Sequence, residues 1–124
     1  MRDHNKLRAF KLADELALDI YKVTISFPKE EIYGLTSQMR RAAVSVASNI
    51  VEGCARESQS EYLRFLGIAF GSLRELHYQF NLSSRLGYLS EKIALMNEQK
   101  FVEIEKVLGA LIRSIRPSTT DQRN

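Results

Sequence analysis

The chain has 124 residues, 44% hydrophobic and 27% charged, with a formal net charge of +3; that is long enough to bury a core without disulfides or metal, and balanced like a soluble globular domain rather than a disordered one. No apolar run approaches the roughly 20 residues of a membrane-spanning helix, and the opening stretch, Met1 to Lys11, is charged from its second residue and has no apolar signal-peptide core. The single cysteine, Cys54, excludes an intramolecular disulfide, and together these features make the cytoplasm the expected location.

Helical periodicity then runs through four successive segments. The first predicted helix spans about Leu7 to Ser26. Leu7, Phe10, Ala13, Ala17 and Ile20 form one apolar stripe, widened by Leu12, Leu16 and Val23. Phe27-Pro28 ends it, because a residue before proline is pushed out of helical geometry. Lys29 to Leu35 is the connection, with Gly34 as its backbone pivot. Thr36 is the expected cap of a second helix that passes through Met39, Ala43, Val46 and Ile50 to Gly53. Its density of Ala, Ser and Val marks a helix that lets neighbours approach closely.

Ser58, followed by Glu61, has the pattern of a capping box and opens a third helix reaching about Leu86. Tyr62, Phe65, Ala69, Leu73, Leu76 and Phe80 are its inner face, and Gly87 is its terminator. Ser90 caps a fourth helix in which Ala94, Asn97, Phe101, Ile104, Leu108, Leu111 and Ile115 alternate spacings of three and four, as a bundle seam does. Pro117 stops it. Short connections between long helices imply antiparallel neighbours. The expected fold is therefore all-α, an antiparallel up-down-up-down four-helix bundle. It occupies one domain over residues 1–116, and a disordered polar tail is expected over 117–124.

Two surfaces remain once that core is built. At about 100° per residue, Gln38, Arg41, Ser45, Ser48, Asn49 and Glu52 fall in one stripe of helix two. A purely solvated stripe would be rich in Lys and Glu. Short Ser and Asn beside single charges instead suggest a polar seam against another helix, within or between subunits, with Arg41 and Glu52 satisfied there. On helix three, Arg64, Gly67, Gly71, Arg74, Tyr78 and Arg85 share one side. A glycine inside a helix costs about 1 kcal/mol relative to alanine. The compensation predicted for Gly67 and Gly71 is close backbone approach, by helix two or by a neighbouring subunit. Leu12, Leu16 and Tyr21 on helix one, with Leu63, Leu66, Ile68 and Phe70 on helix three, exceed the needs of one seam and point to homo-oligomerisation.

Positive charge gathers at the ends of the chain. Arg2, Lys6, Arg8 and Lys11 face Asp3 alone in the first eleven residues. With Arg64, Arg74 and Arg85 these are the candidate contacts for the phosphates of RNA or DNA, the alternative being pairing of the helix-three arginines with Glu57, Glu61 and Glu75. No catalytic set emerges. A carboxylate-type metal site in a bundle needs Glu-x-x-His on two helices, and the residue three before His77 is Arg74. His77 is expected to be a hydrogen-bonded packing residue. Arg56 near Cys54 favours a thiolate in principle, but no base accompanies that thiol. Phosphate loops, nucleophile elbows and zinc-ligand spacings are missing, so no metal or cofactor is expected.

The stretch LTSQMRRAAVSVASNIVEG followed by RESQSEYLRFLGIAFGSLREL resembles the four-helix-bundle family of 23S rRNA intervening-sequence proteins. The matching positions are Arg40 to Ala43, Ser45, Asn49, Ile50, Glu52 and Gly53. On the following helix they are Ser58, Glu61, Tyr62, Phe65, Leu66, Ile68, Ala69, Gly71, Ser72, Glu75 and Leu76. YGL at Tyr33 to Leu35 and LGYLS at Leu86 to Ser90 extend the likeness over nearly the whole chain. The resemblance implies an antiparallel bundle assembled into a homopentameric barrel. It also implies kinship with accessory proteins of diversity-generating retroelements, which work with reverse transcriptase and nucleic acid through basic surfaces.

The sequence thus leads to a non-enzymatic, homo-oligomeric bundle that binds RNA or DNA, as an assembly partner of a nucleic-acid enzyme and without contact to a membrane. The alternative is a protein–protein scaffold in which the polar stripe and the glycines only build the oligomer and dock a partner.

Overall fold

Two serines and two glycines set half of the helix boundaries. The computed structural model describes residues 2–117, so the tail expected over 117–124 lies outside it beyond Pro117. Four helices follow in order: α1 (Arg8–Thr24), α2 (Leu35–Cys54), α3 (Gln59–Arg85) and α4 (Glu91–Ile115), with 3-10 turns at His4–Lys6 and Lys29–Glu31. Among the described residues there is no strand. Ser58 and Ser90 cap α3 and α4, accepting from the Glu61 N–H at 3.1 Å and the Ile93 N–H at 3.2 Å. Each such cap stabilises its helix by about 1 kcal/mol. The return half of the capping box is not made, because the Glu61 carboxylate holds the Arg64 guanidinium at 3.0 Å instead.

Helix α2 starts one residue before the expected cap, and Thr36 does not cap it. Gly34 occupies the cap position, and the Leu35 N–H donates to Oε1 of Glu31 at 3.0 Å. A Cβ on Gly34 would stand 2.7 Å from that oxygen. Glycine is used here to admit a carboxylate, not to turn through a left-handed pivot. Gly87, by contrast, does adopt positive φ, at 82°. The Gly87 N–H donates to the Ser84 carbonyl and the Tyr88 N–H to the Ser83 carbonyl, both at 3.0 Å, which is the paired closure of a Schellman ending.

Each helix packs on its neighbours in sequence, and α1 closes onto α4. Among the described residues the backbones of the diagonal pairs, α1 with α3 and α2 with α4, do not approach within 8 Å of one another. That ring of contacts is the up-down bundle geometry, and it encloses one apolar core. Ala13, Leu16 and Ile20 of α1 meet Met39, Val46 and Ile50 of α2, Leu66, Leu73, Leu76 and Phe80 of α3, and Phe101, Ile104 and Leu108 of α4. Leu16 and Leu66, expected as surplus surface, are therefore core residues. The seam of α4 also drifts: its final turn buries Ile112, leaving Leu111 and Ile115 half-buried. A helix of 3.6 residues per turn walks off a strict 3.5 repeat by about 20° per heptad.

Both ends of the bundle are tied. At one, the Tyr88 hydroxyl donates to Oε2 of Glu31 at 2.9 Å, and the Tyr88 ring lies 5.3 Å from that of Phe27. At the other, the Arg2 N–H reaches the Cys54 carbonyl at 3.3 Å, and its guanidinium donates to the Arg56 carbonyl at 2.7 Å. There too, the Gln59 side-chain amide donates to the Ile115 carbonyl. No helix among the described residues is long and apolar enough to cross a membrane.

Candidate functional site

The polar stripe of α2 faces α3 across a shallow groove of about 420 Å³. The hydroxyls of Ser45 and Ser72 meet at 2.8 Å, and the Asn49 amide donates to the Ser45 carbonyl at 2.8 Å and to its hydroxyl at 3.0 Å. Farther along, the Gln79 amide approaches Oε1 of Gln38 at 3.5 Å. Gln79 is buried and its own Oε1 has no partner, which leaves an acceptor uncompensated. Arg41 and Glu52 are not satisfied in this seam. Arg41 is exposed and forms no ion pair among the described residues, while Glu52 reaches Arg56 at 3.5 Å along its own face. Ser48 is exposed.

The glycines of α3 open onto solvent instead of α2. A Cβ on Gly67 or on Gly71 would meet nothing within 4 Å, so approach of helix two does not explain them. The close approach between α2 and α3 falls at Gly53, where a Cβ would lie 3.0 Å from Cβ of Phe65 and 3.2 Å from the Tyr62 ring. Gly67 and Gly71 lie on a side of α3 that also exposes Ile68 at 41% and Tyr78 at 60%. The result is a low lane of small residues bordered by apolar ones.

Four of the seven candidate phosphate contacts are engaged within the chain. Arg2 lies 4.0 Å above the Tyr62 ring and hydrogen-bonds the Arg56 carbonyl. Arg8 pairs with Glu103, Arg64 with Glu61 at 3.0 Å, and Arg74 with Glu105 at 3.2 Å. Lys6, Lys11 and Arg85 are exposed and form no ion pair among the described residues. The partners Glu103 and Glu105 sit on α4, far away in sequence, which is why local charge counting did not find them.

His77 anchors the opposite seam. Its Nδ1 lies 2.7 Å from Oε2 of Glu105 and its Nε2 lies 2.8 Å from Oε1 of Glu98. The ring stacks flat on Phe101 at 4.6 Å. Burial alone pulls the pKa of this imidazole down, but the two carboxylates together outweigh it and hold the pKa above its ordinary value. An imidazolium can donate from both nitrogens, so this geometry suits the charged form. A legible signal was present: Glu98 and Glu105 are seven residues apart, two turns on one face of α4, flanking Phe101.

Cys54 is 1% exposed, and burial pushes its thiol up, so the pull expected from Arg56 does not make it a thiolate. Its neighbour Tyr62 is pushed up to about 12, chiefly by burial. Among the described residues no group of three or more His, Cys, Asp or Glu side chains is placed to hold a metal ion. What the surface offers is contact area: the open polar groove, the glycine lane and scattered unpaired cations.

Comparisons with known proteins bear on which lineage built this surface. No curated protein sequence matches the chain significantly. The fold is similar to a crystal structure from Bacteroides thetaiotaomicron, of a protein with unknown function from the S23 ribosomal protein family. The two are 23% identical with a TM-score of 0.75, over 84% of this chain and 97% of that one. A family model described as 23S rRNA-intervening sequence protein matches residues 5–110. That match takes in all four helices nearly entire, and the chain belongs to the family of 23S rRNA-intervening sequence proteins.

Proposed function

We propose that this chain is a non-catalytic assembly protein, a helical bundle that joins copies of itself through the lane on α3 and the groove it shares with α2. The observation that carries this reading is the pair Gly67 and Gly71, set in open space on a helix that each destabilises. Alanine would be the better residue at both positions in an isolated bundle. A flat lane between Ile68 and Tyr78 suits a second backbone drawn close. The open groove, lined by Gln38, Ser45, Ser72 and Glu75, adds polar groups a neighbour can contact. A ring of five is the assembly implied by the family resemblance. The engagement of His77 at both nitrogens and the raised thiol of Cys54 leave neither side chain poised for catalysis.

Light scattering on the purified chain tests the assembly. The expected mass is a fixed multiple of 14.2 kDa that falls to the single-chain value in Gly71→Glu. A wild-type mass equal to one chain overturns the reading.

A second reading, nucleic-acid binding, rests on Lys6, Lys11 and Arg85, which form no ion pair among the described residues and would recur around a ring with gain in avidity. Titration against structured RNA, single-stranded DNA and duplex DNA across a salt series tests it. The expected log–log slope is about −0.7 to −0.9 per phosphate contact. Charge reversal at these three residues is expected to flatten it, and absence of binding at low salt removes this reading.

A further inference from the structure

On the adjoining flank of α2, where α1 meets it, a groove of about 450 Å³ opens to solvent. Tyr21 of α1, Ile32 of the connection and Val44 of α2 form its apolar walls, exposed 44, 57 and 43%. Ile25, one turn beyond Tyr21, and Tyr33, next to Ile32 in the chain, are also exposed, at 77 and 94%. Monomer surfaces rarely leave so many large apolar side chains together without a use for them.

The charge here has one sign. Arg40 and Arg41 line the groove and no carboxylate does. Glu31, the acid nearest in sequence to Ile32, has one oxygen on the Leu35 N–H and the other on the Tyr88 hydroxyl. Arg40 is held in place, its Nε donating to Oγ1 of Thr24 at 2.9 Å and its guanidinium lying 4.8 Å from the Tyr21 ring centre. Arg41 has no ion-pair partner among the described residues. Thr36 also lines the groove.

We propose that this groove docks an acidic segment of a partner protein, anchored by one or two aliphatic or aromatic side chains. The anchors fill the space between Tyr21, Ile32 and Val44, and flanking carboxylates meet Arg40 and Arg41 in charge-assisted hydrogen bonds. Tyrosine and arginine around an apolar centre match the composition of protein interfaces. A nucleic-acid strand would use the tyrosines and arginines but has no use for Ile25, Ile32 and Val44, and this decides between the two kinds of partner. The site is separate from the glycine lane, which lies on α3, but Arg41 also borders the α2–α3 groove, so Ile32→Glu is the variant that distinguishes docking from self-assembly.

Peptide display against the full-length chain, followed by fluorescence anisotropy with the selected peptide, tests this. Selected peptides are expected to be net negative with an aliphatic or aromatic anchor. Their affinity is expected to fall at least about tenfold in Ile32→Glu and in Arg41→Glu, and to hold in the distant control Lys106→Glu. Light scattering on Ile32→Glu should give the wild-type mass, which separates docking from self-assembly. An empty selection, peptides without net negative charge, or unchanged affinity in both groove variants overturns the proposal. Displacement of the peptide by an oligothymidylate of about 20 nucleotides, lost in Tyr33→Ala, would make this a base-stacking platform and overturn it as well.

Discussion

The two seams of α3 handle polar groups in opposite ways. Against α4, the polar residues form a closed set: Glu98, His77, Glu105 and Arg74 link in series over the flat face of Phe101. Against α2, Asn49, Ser45 and Ser72 form one short set and Gln38 and Gln79 a loose pair along an open groove, and one buried acceptor is left over. The first set is closed in itself, although elsewhere on α4 the buried Asn97 also keeps an Oδ1 without a partner among the described residues. The second is incomplete within one chain. A polar helix face therefore says little until its partners are known, since the same residue types build a clasp on one side and an unfinished surface on the other.

Several experiments would break or sharpen that contrast. The largest effect is expected in the closed seam. Phe101 is fully buried, against Phe80 at 5.3 Å and under His77, and Phe101→Ala should cost about 3–5 kcal/mol in chemical denaturation. A loss of the size seen at exposed positions would mean the clasp is not packed as described. Next comes the tight end of the α2–α3 contact. Gly53→Val must displace Phe65 and Tyr62 and should cost about 1–3 kcal/mol by overpacking.

Gly71→Ala tests the open side with the reverse sign. With nothing within 4 Å, the added methyl should stabilise the isolated bundle by about 1 kcal/mol through helix propensity, while loosening the assembly in light scattering. Stabilisation with no change in mass would assign the lane no role in assembly. The smallest expected effect is a pH dependence of the clasp. The folded-state pKa of His77 is raised, so its contribution to stability is complete below the ordinary histidine value of about 6.5. That contribution fades as pH rises through the folded value, since the imidazolium is the form the two carboxylates hold. Melting temperatures measured on both sides of that window should show a decline that His77→Gln abolishes. An identical slope in the variant would place the titrating group elsewhere.

How much of this was legible depended on distance along the chain. Ser58 and Ser90 were readable as caps because each acts on a backbone N–H three residues away. The start of α2 was misread because Glu31 competes for the Leu35 N–H from the preceding turn, and Thr36 beside it has the better intrinsic cap propensity. Periodicity located the inner face of α3 but misplaced Leu66, because a helix touching two neighbours buries a wider arc than one seam requires. The arginines were the hardest case. Arg8 and Arg74 find carboxylates on α4, and one-dimensional charge counting does not say which helix stands beside which. The α1–α2 groove was invisible for a similar reason: Tyr21, Ile32 and Val44 come together only when the connection folds back.

The hydrogen bonds at the α2–α3 turn also say something about topology. Arg2 is bonded to Cys54 and Arg56, and Ile115 to Gln59, so the start of the first helix and the end of the last are gathered at one pole. At the other pole, Tyr88 and Glu31 bind the two remaining connections together. A chain arranged this way is close to a closed loop of four rods. Joining residues 116 and 3 by a short linker and opening the backbone in either tied connection would give a circular permutant with every helix contact intact, and the order in which the helices are synthesised becomes a free variable.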